Sequence, residues 1–167
     1  MRLTSFTDYS LRVLIYLGLH EAKLVTIRQV SDAFGISENH LMKVIYKLST
    51  LGYVESVRGR GGGIRLAGTP EETRLGHLVR QVEPDFTIVE CFDGQHRQEC
   101  VIDSSCHLRA VLGKALDAFL AELDRHTLAD LLRNPNKLRS LLRIGATGKA
   151  RLATAASSSG KGKHDGG

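Results

Sequence analysis

Cysteine is scarce in this chain. Three cysteines in 167 residues form an odd set without a paired framework, which excludes the disulfide-dense scaffold of a small secreted domain and leaves at least one thiol free, shared or metal-bound. Long apolar runs are missing too. None approaches the roughly 18 residues that a bilayer span requires, and the opening Met1-Arg2-Leu3-Thr4-Ser5-Phe6-Thr7-Asp8 lacks the apolar stretch of a secretory signal. No membrane association is expected, and the cytoplasm is the expected compartment. Catalytic signatures are equally thin. No Ser-His-Asp arrangement or HExxH stands out, and the glycine-rich stretch 59–63 lacks the Lys-Ser/Thr and following helix of a phosphate-binding loop, so an enzyme is not expected.

What is present is a modest basic excess, unevenly placed. The formal net charge is +5, which favours an anionic partner. Residues 1–83 carry 11 basic and 8 acidic side chains, 84–132 carry 4 and 9, and 133–167 carry 8 and 1. The acidic middle holds all three cysteines, so the chain does not wear the uniform basic coat of a non-specific nucleic-acid binder.

Hydrophobic spacing predicts a first helix over 8–19, with Thr7 as N-cap and Leu11, Leu14, Ile15 and Leu19 on one face. Gly18 lies on that face, where a missing side chain lets another element pack close. Thr26 precedes a short helix over 27–34 that stops at Gly35-Ile36. Ser37 caps a third, over 38–51, with Leu41, Val44, Ile45, Leu48 and Leu51 as its apolar stripe. Two helices joined by a glycine-containing turn are the parts of a helix-turn-helix. Beyond Gly52 the period changes to two, over 53–57 and 64–66, with glycines between: a β-hairpin, placed as a wing. A short helix follows over 75–82, then an irregular stretch from Pro84 to Asp103. Ser104 or Ser105 would cap a long helix reaching about Asp124, whose broad apolar face needs a cover, most simply a second copy of the chain. The expected fold is mainly α: a winged helix-turn-helix unit over 1–83, a cysteine loop over 84–105, a dimerisation helix with further C-terminal helices over 106–144, and a disordered basic tail over 145–167.

A recognition helix meets DNA through its N-terminal residues. Here these are Ser37, Glu38, Asn39, His40 and Lys43. The Asn39 amide suits an adenine edge, while Lys43 and Lys47 suit a guanine edge or phosphate. On the wing, Arg58 and Arg60 suit phosphate contact or minor-groove insertion. Helix-turn-helix units also serve as protein-interaction modules.

Cys91, Cys100 and Cys106 follow the spacing C-x8-C-x5-C, unlike the C-x2-C pairs of a zinc ribbon. Wide loops suit a larger object such as an iron–sulfur cluster. Three unrelated thiols, or zinc bound with His96 or His107, are the other readings of the spacing. Between the cysteines lie Gly94, Gln95, His96, Arg97, Gln98 and Ser104, with Phe92, Val101 and Ile102 as apolar residues that would shield a site.

The opening Met1 to Tyr9 segment, the turn and helix from Gly35-Ile36-Ser37 to Leu51, the wing Val57-Arg58-Gly59-Arg60-Gly61-Gly62-Gly63-Ile64-Arg65-Leu66 and the three-cysteine loop before a long helix together resemble the Rrf-two family of bacterial winged-helix regulators. The resemblance covers about residues 1–135 and is strongest to the family's nitric-oxide-sensing type. It implies a homodimeric repressor on double-stranded, palindromic operator DNA. It also implies an iron–sulfur cluster, 4Fe-4S rather than 2Fe-2S, held by Cys91, Cys100 and Cys106, with Asp8 donated by the other subunit. Nitric oxide would be the signal: nitrosylation of the cluster would release the DNA and derepress nitric oxide detoxification genes. Read without the family, Asp8 is a first-turn acid that offsets a helix dipole, and the two roles are compatible. The chain departs from the biogenesis-regulating branch at Arg109, where that branch has a ligand histidine, and at Met42, where it has a glutamate. The gap between the first two cysteines is also wider than in many relatives. The alternatives are a redox- or cluster-status regulator of the same family with a 2Fe-2S centre, and a zinc-stabilised protein-interaction module.

Overall fold

The computed structural model of the chain describes residues 2–20, 23–92 and 100–144. The basic tail and the middle of the cysteine loop, 93–99 with Gly94, Gln95, His96, Arg97 and Gln98, lie outside the described residues.

Helix α1 runs over Ser5–Gly18, one turn earlier at its start than the spacing predicts, and its N-cap is Thr4, not Thr7. Thr4 has extended backbone, and its hydroxyl accepts the Thr7 N–H at 3.3 Å. Thr7 is instead a fully buried helical residue. The next two helices form where local signals place them. In α2, Ile27–Phe34, Thr26 and Gln29 make a capping box, and Gly35 ends the helix with φ +67°, a left-handed backbone that glycine adopts without strain. In α3, Glu38–Thr50, the Ser37 side chain accepts the His40 N–H at 3.4 Å. Leu41, Val44, Ile45 and Leu48 turn inward against Val13, Leu14, Leu17 and Val30, so the 3.6-residue stripe becomes the core of the helix-turn-helix.

Strands β1, Val54–Val57, and β2, Gly63–Leu66, pair antiparallel with Val54 opposite Leu66. Val25 adds a bridge on the far side of β2, exchanging backbone bonds of 2.9 and 2.8 Å with Ile64. The wing is thereby fastened at its base while its turn projects.

Helix α4, Leu75–Val82, buries Leu75, Leu78, Val79 and Val82. Helix α5, His107–Asp124, starts at Cys106, its N-cap; Ser104 and Ser105 lie in a preceding 3₁₀ turn, Asp103–Ser105, and do not cap it. Arg80 of α4 grips Asp124 of α5 through two bonds of 2.5 and 2.7 Å. None of the residues of α5 is fully buried, and Leu108 and Val111 are 61% and 56% exposed.

Two short helices close the described chain, α6 over Leu128–Leu131 and α7 over Pro135–Leu141. Leu128 is fully buried in the same core as α1 and α3. Gly18 is where this closure is tightest, since a Cβ there would stand 2.6 Å from Leu132 Cδ1. From α7, Arg139 donates from Nε and Nη2 to the Leu19 carbonyl at 3.1 and 2.8 Å, near the end of α1.

The start of α6 makes a pH prediction. The Asp130 carboxylate accepts the Thr127 N–H at 2.9 Å and an Arg133 guanidinium bond at 2.5 Å, which together hold its pKa down to about 2 from an ordinary 3.8. A carboxylate with a lowered folded-state pKa stabilises the protein above its unfolded-state value, and that stabilisation disappears as pH falls through the folded value. Asp130→Ala should therefore lower the melting temperature at neutral pH, and its gap from wild type should narrow between about pH 4 and pH 2. A gap unchanged over that window would show that the charge contributes nothing.

Candidate nucleic-acid interface and cysteine loop

Burying one face of α3 decides what the other presents. Asn39, His40, Lys43 and Lys47 are all exposed, as is the capping Ser37. Two further side chains share that outer face: Met42, already set against the glutamate of the biogenesis-regulating branch and 50% exposed, and Tyr46, which sequence reasoning did not single out, 77% exposed. Asn39, Met42, Lys43 and Tyr46 recur at i, i+3, i+4 and i+7, which makes one outward stripe. The signal was available in the sequence, because both residues fall out of phase with the apolar stripe. Arg58 and Arg60 are exposed on the wing turn. Arg65 is differently used: it pairs with Glu55 across the ladder at 2.9 Å. Exposed lysines thus stand on the outer face of α3 and exposed arginines on the wing turn, basic side chains of the kind that meet a polyanion with a groove.

The thiols occupy the connection between α4 and α5. Cys91 lies half-buried in a 3₁₀ turn, Glu90–Phe92; Cys100 is exposed; Cys106 is half-buried at the start of α5. All three are free. An open groove of about 770 Å³ reaches Cys106, lined also by Asp85, Phe86, Phe92, Arg109 and Leu116 among others. Cys106 is the one cysteine in its lining. Among the described residues no three Cys, His, Asp or Glu side chains are drawn into one group. Val101 and Ile102, expected to shield the thiols, are 100% and 62% exposed on the turn before Asp103–Ser105, while Phe92 does line the groove. His107 is exposed and outside that lining; His96 lies outside the described residues. At the loop's entry the Thr87 hydroxyl and then the Thr87 N–H donate to Asp85, holding its carboxyl below the usual carboxylate range.

Asp8 stands in the first turn of α1, where Arg12 Nε and Nη2 donate to its two oxygens at 3.0 and 2.9 Å. Within one chain its carboxylate is thus engaged by its own helix. Asp8's neighbour Tyr9 has its ring 6.3 Å from that of His40 on α3. A residue that sequence reasoning passed over lies nearby. Glu83, the C-cap of α4, is buried and accepts hydrogen bonds from Thr4 and Thr7. Its signal was a charged residue just after the apolar Val79 and Val82 and directly before Pro84.

As donors, three unpaired thiols in one interhelical connection are the soft ligands that an iron–sulfur cluster takes, so the donor set fits such a group.

A family model described as "Rrf2: Iron-dependent Transcriptional regulator" matches residues 3–134. The HTH-type transcriptional regulator NsrR of Bacillus subtilis is 52% identical over 145 residues, covering 86% of this chain and 99% of that protein. Among solved structures, CymR, the global cysteine regulator of B. subtilis, superposes with a TM-score of 0.63 at 23% identity, over 78% of this chain and 95% of that one. T. potens IscR does so with a TM-score of 0.63 at 25% identity, over 80% and 87%.

Proposed function

Because the chain belongs to the Rrf2 family of iron-dependent transcriptional regulators, we propose that it is a homodimeric repressor that senses nitric oxide through an iron–sulfur cluster, of the 4Fe-4S type, and then leaves its operator. The observation that carries this reading is the set of three free thiols between α4 and α5 in a chain half identical to NsrR-named regulators. Cys91, Cys100 and Cys106 would hold the cluster, with Asp8 of the other copy as the fourth ligand. When bound, the group supplies iron that reacts with nitric oxide, and an oxygen donor such as Asp8 leaves one iron more open than thiolate would.

The protein's own residues do the rest. Asn39, His40 and Lys43 enter the major groove from the start of α3, with Ser37 at the cap, and Lys47 meets phosphate. Arg58 and Arg60 engage phosphate or the minor groove from the wing. Met42 and Tyr46 add apolar surface, of the kind that packs against thymine methyls. Functionally, 1–83 forms the DNA-binding unit, 84–105 the sensing loop and 106–144 the dimerisation segment, with 145–167 as a basic tail. The exposed Leu108 and Val111 give α5 an apolar surface for a second copy, and two recognition helices related by a twofold axis fit a palindromic operator. The genes released would be those of nitric oxide detoxification, in the cytoplasm. Among the described residues no helix is long and apolar enough to cross a membrane.

Anaerobic purification followed by iron and sulfide counts, visible absorption and DNA binding before and after nitric oxide tests the proposal. The expected result is equal iron and sulfide, with an affinity drop of roughly 5- to 150-fold on exposure, and an altered spectrum in Asp8→Ala. Absence of iron, or an affinity indifferent to nitric oxide, would overturn it. An unchanged Asp8→Ala spectrum would remove Asp8 from the ligand set.

A further inference from the structure

Glu83 is 8% exposed, and neither the DNA surface nor the thiol loop uses it. It ends α4 with extended backbone, and Pro84 after it cannot continue the helix. It is therefore the last residue before the cysteine loop. Its Oε2 accepts from the Thr4 N–H at 3.0 Å, the Thr4 hydroxyl at 3.1 Å and the Thr7 hydroxyl at 2.6 Å. A carboxylate withdrawn from water needs such donors to offset its lost hydration. All three belong to the start of α1, although 76 to 79 positions separate them from Glu83 in the chain. The turn they hold leads directly to Asp8, and Tyr9 then meets His40, in the first turn of α3.

We propose that Glu83, with Thr4 and Thr7, is a positioning latch that carries the state of the cysteine loop to the recognition helix. Closed, it keeps the first turn of α1 in register with the loop, and Tyr9 against His40. A rearranged loop draws Glu83 away from its donors, freeing the start of α1 and with it the placement of α3. The inference rests on the loop being the sensing element and adds the residues through which DNA affinity responds. A residue that served only stability would alter folding and leave the response to nitric oxide intact; a latch alters the response.

The test uses anaerobically purified, cluster-loaded full chain and a duplex that this protein itself selects from a random-sequence library. Thr7→Val removes one donor at nearly constant volume, and Thr7→Ser keeps it. Thr7→Val should retain wild-type iron, sulfide and absorption, while the ratio of DNA affinities before and after nitric oxide falls at least about threefold below the wild-type ratio. Thr7→Ser should keep that ratio. Hydrogen exchange on the wild type is the second measurement, needing no substitution: the Thr4 and Thr7 amides should exchange faster after nitric oxide. An unchanged ratio in loaded Thr7→Val, or identical exchange at both amides in a wild type that does respond, overturns the latch and leaves the functional reading standing. A wild type without iron, or without a response, overturns that reading and the latch together.

Discussion

In protein carrying Cys106→Ser, iron and sulfide are expected to be lost while the fold stays as stable as before or becomes slightly firmer. Cys106 caps α5 with extended backbone and no side-chain capping bond. Serine is among the best residues for that position, because its oxygen accepts the free N–H groups of the first turn. Replacing such a cap with alanine costs about 0.5–2 kcal/mol, so gaining one adds up to about 1 kcal/mol. Cluster-free Cys106→Ser should thus melt at the same temperature as the cluster-free wild type, or higher. For metal binding the substitution works the other way. Thiolate sulfur is a soft, anionic donor to iron, whereas a serine hydroxyl is hard and stays protonated at neutral pH. Metal content near background together with undiminished stability would identify Cys106 as a ligand. Wild-type iron and sulfide in the variant would remove it from the donor set. Loss of stability in the cluster-free variant would instead mark the thiol as a packing group.

Leu128→Ala should be among the most destabilising single substitutions in the chain, at about 2–5 kcal/mol. Leu128 is fully buried, it belongs to the core built by α1 and α3, and its N–H donates to the Thr73 carbonyl at 2.8 Å. Truncation removes apolar contacts and leaves a cavity beneath Gly18, where the Leu128 Cδ2 methyl otherwise stands 3.7 Å from a Cβ position. Against a typical stability of about 5–15 kcal/mol, that is a large share. Urea denaturation should show the midpoint falling with little change in slope. Leu131→Ala, in the same helix but exposed, is the control and should stay within about 0.5 kcal/mol of wild type. A Leu128→Ala midpoint near wild type would mean that α6 merely rests on the core. Urea should also unfold the helix-turn-helix and the C-terminal segment together, since one core serves both.

The candidate interface was largely legible in the sequence. Thr26 with Gln29, Gly35 and Ser37 mark the ends of α2 and α3 within a few positions of the residues they act on, and the inward stripe of α3 leaves Asn39, His40, Lys43 and Lys47 outside. Met42 and Tyr46 were equally visible as out-of-phase residues. The starts of α1 and α5 were misplaced because each offers more than one serine or threonine within a few positions, Thr4, Ser5 and Thr7 at α1 and Ser104 and Ser105 before α5. Which one caps depends on where the flanking backbone turns, and at α5 the answer was a cysteine.

By itself, then, the sequence determined the helix-turn-helix, the wing and the supply of thiols, because capping, glycine turns and hydrophobic period act over a handful of residues. Only the tertiary structure decided that Glu83 grips Thr4 and Thr7, that Leu128 and Leu132 close over Gly18, and that Arg139 reaches the Leu19 carbonyl. These contacts join residues between 76 and 120 positions apart. No local pattern encodes such a partner, since burial of a carboxylate or a leucine is settled only when distant segments converge and exclude water.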